Sequence, residues 1–136
     1  MTARPSAEVP AHHAVSILPA GWQRDRADTW LDLAAWRLLL VDAHDLQAVD
    51  RIPGFDPYQR RVVDQLHPNS ALWNGHPSGA IFVFLWRIGR LEVGAISPQE
   101  DGGTTFALTE YDAALQSRCQ TLAAALGAVV EDTDWP

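Results

Sequence analysis

Residues 80–96, AIFVFLWRIGRLEVGAI, carry the strongest structural signal in this sequence. Within residues 80–87, every position before Arg87 is apolar, which is typical of a central strand that is covered on both faces. Ile88-Gly89 then favours a tight turn, and residues 90–96 alternate between polar and apolar side chains. The stretch therefore predicts a β-hairpin inside an antiparallel sheet.

The sequence before this hairpin predicts one strand followed by helices. Residues 13–18 favour a short strand, and apolar residues recur at helical spacing over residues 25–41. Trp36, Leu39 and Leu40 are apolar on the other side of this helix, so a buried strand over residues 36–41 stays open as an alternative. Capping signals at Asp42 and at Asp56-Pro57-Tyr58-Gln59 predict two further helices, over residues 42–52 and 56–66.

The remaining segments predict a loop, two short strands and one helix. Residues 67–79 are rich in turn-forming residues and predict a loop before the hairpin. After the hairpin, residues 104–108 favour a short strand, and Thr109 is expected to cap a helix that ends at Gly127. Residues 128–131 predict a last strand, which an acidic tail follows.

These elements predict an α+β fold with one domain over residues 13–136. A mainly antiparallel sheet, with the hairpin 80–96 at its centre, is expected to pack against the helices. Residues 1–12 are small, polar and rich in proline, and we expect them to form a flexible N-terminal segment. The tryptophans that lie within apolar runs are expected in the core, namely Trp30, Trp36 and Trp86.

The composition narrows the class of protein. The chain has 136 residues, 47% of them hydrophobic, which is enough for a buried core and argues against a disordered protein. Its net charge of −7 argues against binding to the phosphate backbone of nucleic acids. No apolar run reaches the roughly 20 residues of a membrane helix, and no secretory signal is recognisable, so we expect a soluble cytoplasmic protein. The one cysteine, Cys119, cannot form an internal disulfide.

No motif in the sequence points strongly to catalysis. The chain has no Gly-rich phosphate loop, no Gly-x-Ser-x-Gly and no His-Glu-x-x-His, so we predict no catalytic residue, metal or cofactor and favour a binding protein over an enzyme. His67 and His76, each followed by proline in the 67–79 segment, fit no zinc motif. The alternative function is a small-molecule pocket or a small-enzyme site near this loop, lined by Asp42, His44, His67, Trp73 and His76.

The acidic C-terminus and the tryptophans outside apolar runs favour a protein–protein contact. Tryptophan is enriched at the energetic centres of interfaces, and opposite charge speeds association. The partner-binding residues that this pattern predicts are Trp73, Glu131, Asp132, Asp134 and Trp135. The function favoured by the sequence is a non-catalytic acidic domain that binds a basic protein, for example a bacterial immunity protein or antitoxin that neutralises a toxin. The oligomeric state stays open.

Overall fold

The structure is a computed structural model, and it describes residues 12–22, 29–96 and 103–135. The strands of these residues form one antiparallel sheet: β1 (His12–Pro19), β2 (Leu46–Asp56), β3 (Arg61–Trp73), β4 (Phe82–Arg87), β5 (Arg90–Ile96), β6 (Thr104–Thr105) and β7 (Ala128–Trp135). The helices are α1 (Leu33–Asp42) and α2 (Ala113–Leu126). The strand order is β2-β3-β4-β5-β1-β7, and β6 pairs with the end of β5. The α+β class with an antiparallel sheet is therefore confirmed.

The predicted hairpin is confirmed and lies at the centre of the sheet. Strands β4 and β5 pair from Phe82↔Ala95 to Arg87↔Arg90. The two turn residues have positive φ, 52° at Ile88 and 73° at Gly89, as a tight hairpin turn between twisted strands requires. A side chain on Gly89 would also collide with the ring of Trp30. Both the positive φ and this close contact therefore favour glycine at this turn position.

The main core lies between the sheet and the two helices. Trp36 of α1 is fully buried, and its indole N–H donates to the carbonyl of Asn69 on β3 at 2.7 Å. Helix α2 begins at the N-cap Asp112 and ends at Gly127, which has a left-handed backbone conformation. The buried residues packed around these helices include Val15, Ile17, Leu46, Trp73, Phe82, Phe84, Leu91, Val93, Leu115, Cys119 and Leu122.

A smaller core lies on the opposite face of the sheet, where the long β2–β3 hairpin bends back over it. Ile52, Val83 and Leu85 are buried there. The pairing of β2 with β3 shifts register between Val49 and Arg51, and a bulge of this kind bends a strand. The hydroxyl of Thr104 donates to the carbonyl of Pro53 at 2.7 Å, which ties β6 to β2.

The helices predicted over residues 42–52 and 56–66 are wrong, because Asp42 is the last residue of α1 and residues 46–56 and 61–73 form the two strands of the β2–β3 hairpin. The capping interactions nevertheless form, since Asp56 accepts from the backbone N–H of Tyr58 at 2.8 Å and of Gln59 at 3.4 Å. Arg60 then adopts a φ of 54°, and the chain reverses instead of continuing as a helix. The same side-chain bonds that begin a helix can thus close a hairpin turn. They leave Tyr58 at the hairpin tip, 96% exposed.

Other boundaries differ from the predicted ones. The predicted 67–79 loop is still strand up to Trp73, and the 104–108 strand is reduced to two residues. Strand β7 runs to Trp135 and so includes the acidic tail. Residues 36–41 are helical, which confirms the predicted helix over the strand alternative. Helix α1 starts at Leu33, and the predicted start at residue 25 lies outside the described residues.

The structure describes little of the predicted N-terminal segment, and the three tryptophans predicted in the core have different outcomes. Residues 1–11 lie outside the described residues, and His12 already belongs to β1. Trp36 is confirmed in the core, Trp86 is half-buried, and Trp30 is 57% exposed, so its predicted core position is wrong. Neither helix among the described residues has the length and apolar character needed to cross a membrane.

Candidate functional site

The structure brings four of the five predicted partner-binding residues together on β7. Glu131, Asp132 and Asp134 are exposed, as is Thr133 between them, and the backbone of Trp135 pairs with His12 at the end of the strand. Strand β7 is the last strand in the sheet order and pairs with β1 alone among the described strands. The acidic residues therefore lie along an outer strand whose other backbone edge, the open edge, pairs with no strand among the described residues.

The side chains of β7 alternate between the two faces of the sheet. Asp132 lies opposite Val15 and Asp134 opposite His13, on the face that carries α2. Glu131 lies opposite Ser16 on the other face, where both line a groove with Trp22 and Arg90. The outer strand thus presents negative charge on both faces.

Trp73 does not belong to this acidic surface. It ends β3, is 4% exposed, and donates its indole N–H to Asp45 at 2.7 Å. Three strands separate β3 from β7 in the sheet, which corresponds to about 19 Å between the two. The prediction that Trp73 lies in a polar loop is wrong, because its side chain fills the main core instead.

Asp45 is the centre of a network that the sequence does not reveal. Besides Trp73, its carboxylate accepts from the guanidinium of Arg118 on α2 at 2.9 Å. The Nε atom of Arg118 also lies 2.8 Å from Asp45 Oδ2, although outside hydrogen-bonding geometry. This network ties together the α1–β2 turn, the end of β3 and the middle of α2.

The residues predicted for the alternative pocket do not share one cavity. Asp42 lies in the last turn of α1 and lines a shallow groove against α2, His44 is exposed in the following turn, and His67 is half-buried on β3. Trp73 and His76 do meet, with ring centroids 5.8 Å apart in an edge-on arrangement. The predicted set is therefore divided among the end of α1 and the turn after it, the middle of β3, and the Trp73–His76 pair.

A cavity of about 540 Å³ lies elsewhere, at the end of the sheet beside β6. None of the five residues of the predicted pocket lines this cavity. Its lining consists mainly of apolar side chains and threonines, namely His12, Phe55, Ala80, Phe82, Ala95, Ile96, Gly103, Thr104, Thr105, Ala107, Leu108, Thr109 and Glu110. Its wall reaches the 67–79 segment indirectly, because the ring of Phe82 lies 5.4 Å from that of His76.

His76 also takes part in a chain of hydrogen bonds that resembles a catalytic triad. Its Nδ1 lies 2.7 Å from the hydroxyl of Ser78, and its Nε2 lies 2.7 Å from a carboxylate oxygen of Asp112. The nearby backbone donors are already used, since the N–H of Gly79 bonds to the His76 carbonyl and that of Ala80 to the Ser78 hydroxyl. No described backbone donor beside Ser78 is left for an oxyanion, which acyl transfer requires. These hydrogen bonds instead connect the turn at residues 76–79 to the N-terminus of α2.

Asp112 is ionised more readily than an ordinary aspartate. The backbone N–H of Leu115 donates to its carboxylate at 3.0 Å, and this bond, together with the contact to His76, lowers its pKa. The ionised carboxylate therefore stabilises the fold more than the protonated carboxyl does.

We expect the substitution Asp112→Asn to cost stability at neutral pH and to cost progressively less in acid. Asparagine keeps an N-cap acceptor but removes the charge. Because the folded pKa lies below the unfolded one, the carboxylate stabilises the fold above about pH 4, and this contribution is lost as the pH falls through the lowered folded value. Urea unfolding of both proteins at several pH values measures the difference. A difference that stays constant from about pH 6 to about pH 3 would contradict this account.

The pKa values of two further side chains, Cys119 and Tyr111, lie above their usual ranges. Burial raises the pKa of the Cys119 thiol to about 12, which makes it a poor nucleophile. Burial, followed by the nearby Cys119 and Asp132, raises the pKa of Tyr111 above its usual range. The ring of Tyr111 lies 5.5 Å from that of His13, a residue that the sequence analysis missed and that contacts both Asp132 and Asp134.

Comparison with known proteins gives no relative from which a function could be transferred. No family model, curated protein or solved structure matches this chain. Its function must therefore be argued from its own residues.

Proposed function

We propose that this chain is a non-catalytic binding protein whose acidic outer strand, β7, contacts a basic protein partner. The observation that carries the proposal is the run of exposed residues 131–134, which places Glu131, Asp132 and Asp134 along an open sheet edge. A cytoplasmic immunity protein or antitoxin that neutralises a basic toxin is the concrete form of this function.

Charge complementarity argues for a basic occupant of this edge. An open edge can add a strand from another chain through its free N–H and C=O groups. A second copy of this chain would bring another set of carboxylates against the first, and like charges on paired strands repel each other. A segment rich in lysine or arginine would instead gain hydrogen bonds and ion pairs, and the net charge of −7 would speed its approach.

The small-molecule alternative has less support. Its predicted residues are divided among a helix end, a turn and a strand, and the 540 Å³ cavity is lined by other side chains. The triad-like chain at His76 has no described oxyanion donor, as shown above. We therefore propose no enzymatic activity.

A comparative capture experiment tests the proposal. The bait is the full chain, exposed to lysate of its source cell at low salt in the presence of a chelator, as wild type and as two double variants. Glu131→Gln/Asp134→Asn removes two charges from β7, whereas Asp50→Asn/Asp64→Asn removes two charges from exposed positions on β2 and β3.

We expect one basic protein to be retained by the wild type and by the β2–β3 variant, and to bind the β7 variant at least about tenfold more weakly. Mass spectrometry identifies it, and calorimetry with the purified partner gives the affinities. Equal retention by both variants, retention of acidic proteins only, or an empty bait would each overturn the proposal.

A further inference from the structure

A second feature of β7 points to a small ligand rather than a protein. His13 on β1 and the pair Asp132 and Asp134 on β7 converge on the face of the sheet that carries α2. His13 Nδ1 lies 3.0 Å from Asp132 Oδ1 and 2.6 Å from Asp134 Oδ1. One donor atom from each of the three side chains lies within 4.8 Å of the other two.

Hydrogen bonding alone does not account well for this arrangement. An imidazole nitrogen carries either one hydrogen or one lone pair, so His13 Nδ1 can donate fully to only one of the two carboxylates. The second carboxylate then adds negative charge next to the first, and even a protonated imidazole, with its single positive charge, would offset only one of the two. A divalent cation among the three groups would remove both problems, because each of them can donate a lone pair to it.

The spacing of the three donors fits such an ion. With metal–ligand bonds of about 2.1 Å, neighbouring ligands of an octahedral ion are about 3 Å apart. The two nitrogen–oxygen distances of 3.0 and 2.6 Å are close to that value. Small rotations of the aspartate side chains would therefore place one nitrogen and two oxygens around a common ion.

The backbone around His13 is fixed, whereas the outer side of the cluster is open. The N–H of His13 donates to the carbonyl of Leu108 at 2.8 Å, and the N–H of Leu108 donates back at 2.9 Å. Tyr111 lies against the His13 ring, and the side chain of Asp134 is 67% exposed. The protein thus holds the ligands on one side and leaves room for water molecules on the other.

We propose that His13, Asp132 and Asp134 bind a divalent transition-metal ion of the class Mn²⁺, Fe²⁺, Co²⁺ or Zn²⁺. The imidazole nitrogen favours these ions over Ca²⁺ and Mg²⁺, which prefer oxygen ligands alone. This site goes beyond the proposed protein-binding function, which requires no metal, although the two share Asp132 and Asp134. The metal would compete with a basic partner for these two carboxylates.

Titration of the purified full chain with Mn²⁺ tests the site without any partner. Free Mn²⁺ has a six-line electron paramagnetic resonance signal that weakens on binding, and bound Mn²⁺ broadens the NMR signals of nearby nuclei. We expect saturable binding of one ion with a Kd below about 1 mM. Broadening should be strongest for the His13 ring and for the amides of Ala14 and Thr133, which pair across β1 and β7.

Three variants separate a built site from diffuse attraction to negative charge. Asp134→Asn and His13→Gln each remove a ligand and should weaken Mn²⁺ binding at least about tenfold. Glu131→Gln removes one charge from the same strand but from the opposite face, and it should leave binding within about twofold of the wild type. Circular dichroism of each variant confirms that it is folded.

Each outcome decides the proposal. No saturable binding, equal weakening by Glu131→Gln, or broadening centred away from His13 would overturn the metal site. Because the capture experiment is performed in chelator and the titration without partner, failure of one leaves the other intact.

Discussion

Replacing Trp36 with alanine is expected to lower the free energy of unfolding by about 3–5 kcal/mol. Trp36 is fully buried between α1 and β3, so truncation removes its packing and leaves a cavity. It also removes the hydrogen bond from the indole N–H to the Asn69 carbonyl, at 2.7 Å. Urea unfolding monitored by circular dichroism measures the loss, and Trp36→Phe should show a smaller one because it keeps most of the apolar volume.

Trp30→Ala is the matched control for this prediction. Trp30 is the same residue type three residues before α1 but is 57% exposed, so we expect its truncation to cost about 1 kcal/mol or less. Equal losses at the two positions would contradict the burial of Trp36 against β3 and with it the placement of α1.

The second large effect is expected at Asp45, where alanine should cost about 2–3 kcal/mol. The substitution leaves the guanidinium of Arg118 and the indole N–H of Trp73 without their shared acceptor. The cost is below that of a fully buried pair because Arg118 and Asp45 keep 21% and 36% side-chain exposure.

A double-mutant cycle with Arg118→Ala isolates the pair. The combined variant should lose clearly less than the sum of the single losses, since each single variant already breaks the same interaction. Asp42→Ala, three residues earlier and exposed in the last turn of α1, should change stability by less than about 0.5 kcal/mol. Additive losses at Asp45 and Arg118 would contradict the network.

The parts of the fold that could be predicted are those with local signals. The β4–β5 hairpin needs only an apolar run, a glycine turn and an alternating run, and all three lie within residues 80–96. The end of α2 at Gly127 is likewise local, because glycine adopts the left-handed conformation there at little cost.

The β2–β3 hairpin could not be predicted because its local signals also describe helices. An aspartate followed by proline, with glutamine three residues after the aspartate, satisfies the first free N–H groups of either a helix or a turn. What distinguishes them is the pairing of Val62 and Val63 with Phe55 and Gly54, which becomes visible only once both strands are placed. The β-branched residues at 62 and 63 were a sequence signal in favour of a strand.

The candidate site was predicted in part for the same reason. The acidic run at the C-terminus is visible in the sequence, and so its three carboxylates were found. His13 is more than a hundred positions away along the chain and meets them through the pairing of β1 with β7. The alternation of Asp132 and Asp134 at strand spacing could have indicated that the last strand continues beyond residue 131 and that both carboxylates share a face.

The most direct test of the protein-binding proposal is to locate the partner on the surface by amide hydrogen exchange. The chain is compared free and in complex with the basic protein that the capture experiment identifies. Binding through the open edge should slow exchange at residues 128–135, at the backbone N–H groups that point away from β1. Protection confined to another surface, such as the β2–β3 tip with its exposed Tyr58, and unchanged exchange in β7 would contradict the account.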